Sequence, residues 1–135
     1  MVPLGRLLLI GALIASVVDA ADVLPADLVG EWATDASVFR GGALHQGLAM
    51  YLTVDGGGAL IAAPPPIGAR GPARYDAKAR LLTLALSEHG QPVATCAFVH
   101  DRSATTLKAQ EGACGNEIFR RRRDRVPEHI LKTLR

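Results

Sequence analysis

The residues of this chain whose types could do chemistry are four histidines, two cysteines, a scatter of carboxylates and a run of arginines. His45, His89, His100 and His129 are far apart, and no two share a metal-binding spacing. His89 and His100 read as turn residues, His45 as a loop residue and His129 as part of a terminal helix, so isolated surface imidazoles are expected. His100 is followed by Asp101, with Ser103 close by. Nucleophilic catalysis needs a base oriented by a third group and a nucleophile within its reach, and adjacency in a turn supplies neither. Acid–base work wants paired carboxylates in a cleft, whereas Asp76, Glu88 and Asp101 fall in separate turns. Asp55-Gly56-Gly57-Gly58 lacks the lysine and the following helix of a phosphate loop and reads as a tight turn. No catalytic residue, metal ligand or cofactor is assigned, and a non-enzymatic protein is expected.

Cys96 and Cys114 can form one intramolecular bridge. A redox pair favours Cys-x-x-Cys, and a zinc site needs more ligands at tighter spacing. The expectation is a structural disulfide, which in the chain-entropy model contributes roughly 3 kcal/mol.

From Ile118 onward the chain holds seven basic residues against two acidic ones, whereas residues 21–117 hold seven basic and ten acidic. Arg120, Arg121, Arg122, Arg123 and Arg125 form the densest basic patch. Such a run can be a solvated linker, or it can contact an acidic surface such as anionic lipid headgroups, an acidic polymer or a protein partner. Near an anionic membrane each arginine would contribute about 1 kcal/mol. Nucleic acid is a poor fit, because aromatic stacking platforms are scarce at 4% of the chain and the N-terminus points to export.

That N-terminus reads as a cleaved secretory signal over residues 1–20. Arg6 gives a positive start, Leu7 to Val18 is uncharged, and Val18-Asp19-Ala20 ends with small residues at −3 and −1. Twelve residues of helix cover roughly 18 Å, short of a ~30 Å hydrocarbon core, so no stable membrane span is expected. A periplasmic or secreted location follows, and it suits the cysteine pair. Arg6 and Asp19 leave together, so the net charge stays +2. The expected organisation is a barrel domain over residues 21–121 and a basic tail with a short helix over residues 122–135.

The elements that would position these residues are mostly short strands. Leu24 to Val29 reads as a helical turn that Gly30 stops, and Glu31 to Thr34 as a first strand. Gly47 to Val54 alternates, with Leu48, Met50, Leu52 and Val54 on one face. Asp55 to Gly58 turns the chain into Ala59–Ala62. Pro64 to Pro72 reads as a loop, since proline cannot donate to a ladder. Ala73–Asp76, Arg80–Leu86, Val93–Val99, Ala104–Ala109 and Glu117–Arg121 continue the pattern. Val126 to Arg135 reads as a helix with Pro127 in its first turn and Val126, Ile130 and Leu134 in one stripe. Short strands with regular turn signals indicate an all-β antiparallel meander.

A helical turn, Gly30-Glu31-Trp32, successive hairpins and a last strand bearing Phe119-Arg120-Arg121 together resemble a small lipocalin-like (calycin-type) barrel over residues 24–121. In that family a Gly-x-Trp opens the first strand, and an arginine near the end of the last strand packs across the tryptophan. The resemblance implies barrel-closing roles for Gly30, Trp32 and either Arg120 or Arg121. An eight-strand barrel either encloses a ligand or is filled by side chains. If there is a pocket, Leu48, Met50, Ile67 and Leu84 would line it for a small apolar or amphipathic ligand. The alternative is an interaction module of the inhibitor/immunity or envelope-assembly type, acting through loops and the basic tail.

Overall fold

The computed structural model describes residues 23–63, 68–110 and 114–134. The expected export signal, the proline triplet, Ile67 and Arg135 lie outside them. The described chain forms strands β1 (Gly30–Thr34), β2 (Val38–Arg40), β3 (Ala43–Gln46), β4 (Leu48–Leu52), β5 (Gly57–Ala62), β6 (Gly68–Asp76), β7 (Leu81–Glu88), β8 (Gln91–Asp101), β9 (Thr106–Ala109) and β10 (Ile118–Arg123), followed by helix α1 (Glu128–Leu134). Eight of the strands close into an antiparallel barrel in the order β1-β10-β9-β8-β7-β6-β5-β4, with β4 returning to pair with β1. The all-β meander with a short C-terminal helix is the architecture.

Strand parity decides which residues fill the barrel. Trp32, Met50, Leu52, Leu82, Leu84, Phe98 and Leu107 have no accessible surface, and Phe119 and Cys96 have almost none. Phe98 and Phe119 meet edge to face with centroids 5.8 Å apart. Side chains with no accessible surface border no water-sized void, so the interior at these positions is packed solid. A second apolar cluster lies on the outside of the wall. Ala49 and Tyr51 of β4 are covered by Phe39 and Leu44 of the β2–β3 hairpin and by Val126, Ile130, Leu131 and Leu134 around α1. Both faces of β4 are therefore buried, which explains why Leu48 to Leu52 is apolar almost throughout.

Two expectations change. The loop over Pro64 to Pro72 is strand from Gly68 onward, in register with β5. Glycine makes this feasible, because a Cβ at Gly71 would sit 1.7 Å from the Ala85 carbonyl oxygen of β7. His100 is not a surface turn residue: β8 runs to Asp101, and strand alternation turns the imidazole inward, leaving it 3% exposed.

Candidate functional site

One end of the barrel is closed by the segment before β1. Pro25 and Leu28 form a turn through a 3.0 Å backbone bond, and Leu24 N–H bonds the Val54 carbonyl. Leu24 and Leu28 point into the core. The orphaned carbonyls at the end of such a turn need donors, and the barrel supplies them. Trp32 Nε1 donates to Leu28 O at 2.9 Å, and the Arg121 guanidinium donates to Ala26 O at 2.7 Å and to Val29 O. Arg121 is in register with Trp32, whereas Arg120 points outward to Asp35 at 2.9 Å. Of the two candidate arginines, Arg121 is the one placed beside Trp32, and both side chains donate to the same turn. Arg122 makes a cation–π contact of its own, 3.7 Å from the centre of the Phe39 ring. Gly30 has a φ of +137°, and a Cβ there would lie 2.0 Å from the Arg123 carbonyl oxygen, so glycine allows β1 to approach β10.

Beneath this cap sits His100. Its Nδ1 is 3.0 Å from the Tyr75 hydroxyl, and its ring meets the edges of Trp32 and Tyr75. Burial holds the imidazole below its ordinary pKa. The Asp27 carboxylate in the cap opposes that shift, and Arg102, which pairs with Asp27 at 2.8 Å, reinforces it. Sequence reasoning missed this group because the end of β8 was read as a turn.

The basic run is largely engaged with its own protein. Arg122 and Arg123 both reach Glu31 Oε1, at 3.1 and 3.3 Å. Glu31 is 1% exposed, and its Oε2 has no hydrogen-bond partner among the described residues. Across the β1–β4 ladder lies Tyr51, whose hydroxyl is pushed above the ordinary tyrosine range by burial and then by the Glu31 charge. Arg125 makes no hydrogen bond or ion pair among the described residues.

Arg125 lines instead a surface groove with a volume of about 680 Å³. Its floor is Gly56 of the β4–β5 turn and Gly57 and Gly58 of β5, with Gly71 and Pro72 of β6, and its apolar wall is Val126, Leu131 and Leu134. Asp55, Arg70 and Glu128 add charge at its border. Arg70 donates to the Thr133 carbonyl at the end of α1, fixing the helix that forms the wall. The helical stripe and the glycine cluster were the legible signals for this groove, but not their meeting.

Of the expected ligand contacts, Met50 and Leu84 are sealed in the core, Leu48 packs against it, and Ile67 lies outside the described residues. A lined pocket at these positions is therefore replaced by packing. Cys96 and Cys114 are bonded, with Cα atoms 5.6 Å apart, tying β8 to the segment before β10. Among the described residues no group of three or more histidine, cysteine or acidic side chains is placed to hold a metal ion.

Comparison with known proteins adds no identity: no family model, curated protein or solved structure matches this chain.

Proposed function

We propose that this protein is an exported, non-enzymatic, lipocalin-like barrel that binds a small amphipathic molecule on its outer surface. The groove between α1 and the Gly-rich ends of β5 and β6 carries this reading. Its volume of about 680 Å³ falls within the range of small-molecule sites, and it combines apolar walls with a few charged groups. The packed interior argues against a ligand inside the barrel. The Cys96–Cys114 bond suits an oxidising compartment, periplasmic or extracellular.

Native mass spectrometry of the protein purified without detergent from the exported fraction tests the reading. The expected result is an adduct of a few hundred daltons (on the order of a drug-sized ligand), lost in Leu131→Asp and retained in Lys108→Gln on the far wall. A bare protein mass, or an adduct indifferent to Leu131→Asp, refutes it.

One observation favours a protein-interaction module. Val99 and Ile118 flank Lys108 in one cross-strand row on the outside of β8–β10, and they are 41% and 40% exposed. Loss of partner capture in Val99→Glu, with the groove variants unaffected, would support that alternative.

A further inference from the structure

The groove makes no use of the one imidazole buried in the barrel. His100 lies at the end of the barrel that residues 24–29 cap. We propose that His100 is an acid-sensitive latch whose protonation releases the cap, residues 24–29, from the end of the barrel.

His100 is 3% exposed and is enclosed by Trp32 of β1, Tyr75 of β6 and the core beneath. Neutral imidazole suits this place, because Nδ1 can accept from the Tyr75 hydroxyl, 3.0 Å away. Imidazolium has a donor at both nitrogens, so Tyr75 would have to turn and accept, and a charge would be left in an apolar layer. Charged groups face the ring from three segments: Asp27 in the cap, Asp101 and Arg102 at the end of β8, and Arg80 before β7, whose carbonyl holds the His100 N–H. The carboxylates favour the charged ring and the guanidinium groups disfavour it, while burial outweighs them all.

A ring that binds its proton less well in the closed protein than in water must, by linkage, favour states in which it is hydrated when the pH falls. The route to hydration with the least disruption is the cap. The barrel walls beside His100 are continuous ladders to β7 and β9. The cap is held by separate ties: Leu24 N–H to Val54 O, Trp32 Nε1 to Leu28 O, Arg121 to Ala26 O and Val29 O, and Asp27 to Arg102. Local opening of such a segment precedes global unfolding. Release would bare Leu24, Leu28 and the end of Trp32, apolar surface that the neutral-pH form keeps covered.

The protein carries its own reporter, because Trp32 is the only tryptophan and its ring centroid is 6.2 Å from that of His100. A protonated imidazole at this range quenches indole emission. Trp32 fluorescence and hydrogen–deuterium exchange of the intact chain, corrected for intrinsic exchange, should be followed together from about pH 8 to about pH 4.5, the span in which histidine titrates. The expected result is a reversible fall in Trp32 emission, with at least a tenfold loss of protection in peptides covering 23–30 at the same midpoint (on the scale of local opening) and β7–β8 still protected. His100→Gln should abolish both changes, and His89→Gln should leave them intact. The proposal is overturned if the indole signal titrates while cap protection stays constant, if cap and barrel lose protection together, or if neither changes. Should His100→Gln fail to fold, the two wild-type readouts decide between these outcomes.

Discussion

Replacing Gly30 by alanine should be among the most damaging single-methyl additions to this protein. At φ +137° an L-residue is strained, at a cost of order 1–3 kcal/mol. The new methyl would also stand 2.0 Å from Arg123 O, well inside contact distance, and that atom is backbone and cannot rotate away. The β1–β10 ladder would have to part beside its existing irregularity at Glu31/Trp32. Losing one or two of its hydrogen bonds adds about 1 kcal/mol each. Together these effects amount to about 2–5 kcal/mol, a large share of the ~5–15 kcal/mol by which a domain is stable. At roughly 4 °C per kcal/mol for a domain of this size, the melting temperature should fall by about 8–20 °C. Gly90→Ala is the control: its φ is +77°, but no atom lies within 4 Å of the added carbon, so it should cost about 1 kcal/mol. Thermal unfolding followed by far-ultraviolet circular dichroism measures both. A Gly30→Ala protein melting within about 3 °C of the parent, or no worse than Gly90→Ala, would refute the close-approach argument.

The two candidate closing arginines should separate cleanly in chemical denaturation. Arg121→Ala loses charged donors to the cap carbonyls, about 1.5–3 kcal/mol, while Arg120→Ala loses only an exposed ion pair worth about 0–1 kcal/mol. Equal losses would mean that the cap does not depend on Arg121. Stability should also fall with acid through His100, whose folded pKa is below its ordinary value of 6.5. The unfolded chain takes the proton first as the pH drops through 6.5, so stability is lost from there downward and levels off below the folded pKa. Urea midpoints across this window should show the slope, and His100→Gln should flatten it. At the alkaline end, the Tyr51 phenol should stay protonated in the folded protein past its ordinary pKa of 10.0. Its contribution is present below that value and is lost only as the pH rises toward the raised folded one. Absorbance at ~295 nm reads tyrosinate formation across this range, and a Tyr51→Phe protein with an unchanged early titration step would agree, while loss of that step would not.

Much of the framework was legible along the chain, and the reasons are local. Leu48, Met50 and Leu52 alternate because one face of β4 looks into the barrel, and the chain turns ahead of β5 because glycine tolerates the φ of +88° at Gly56. Leu82, Leu84 and Leu86 share a face and fill the core, as do Cys96 and Phe98. The helix stripe was visible because Val126, Ile130 and Leu134 recur at helical spacing. Val54 shows the limit: alternation placed it with the inward set, but β4 ends at Leu52 and Val54 is 60% exposed. The Gly68 to Pro72 stretch was illegible for the opposite reason. Its glycines and proline advertise a loop, yet neighbouring strands can press against a backbone that carries no Cβ.

The site depends on contacts that no local pattern encodes. Glu31 and Arg122 are 91 positions apart, Arg121 and Val29 are 92 apart, and Tyr75 and His100 are 25 apart. By itself the sequence determined strand periodicity, the cysteine pair and the charge of the tail, because each depends on residue type and short spacing. Tertiary structure alone decided which arginine ties the cap, that the barrel is filled, that α1 walls a groove on the Gly-rich strands, and that His100 is buried. Closing the barrel brings distant strands within about 5 Å of one another, and at that distance the partner across the ladder, not the neighbour along the chain, sets what a side chain does.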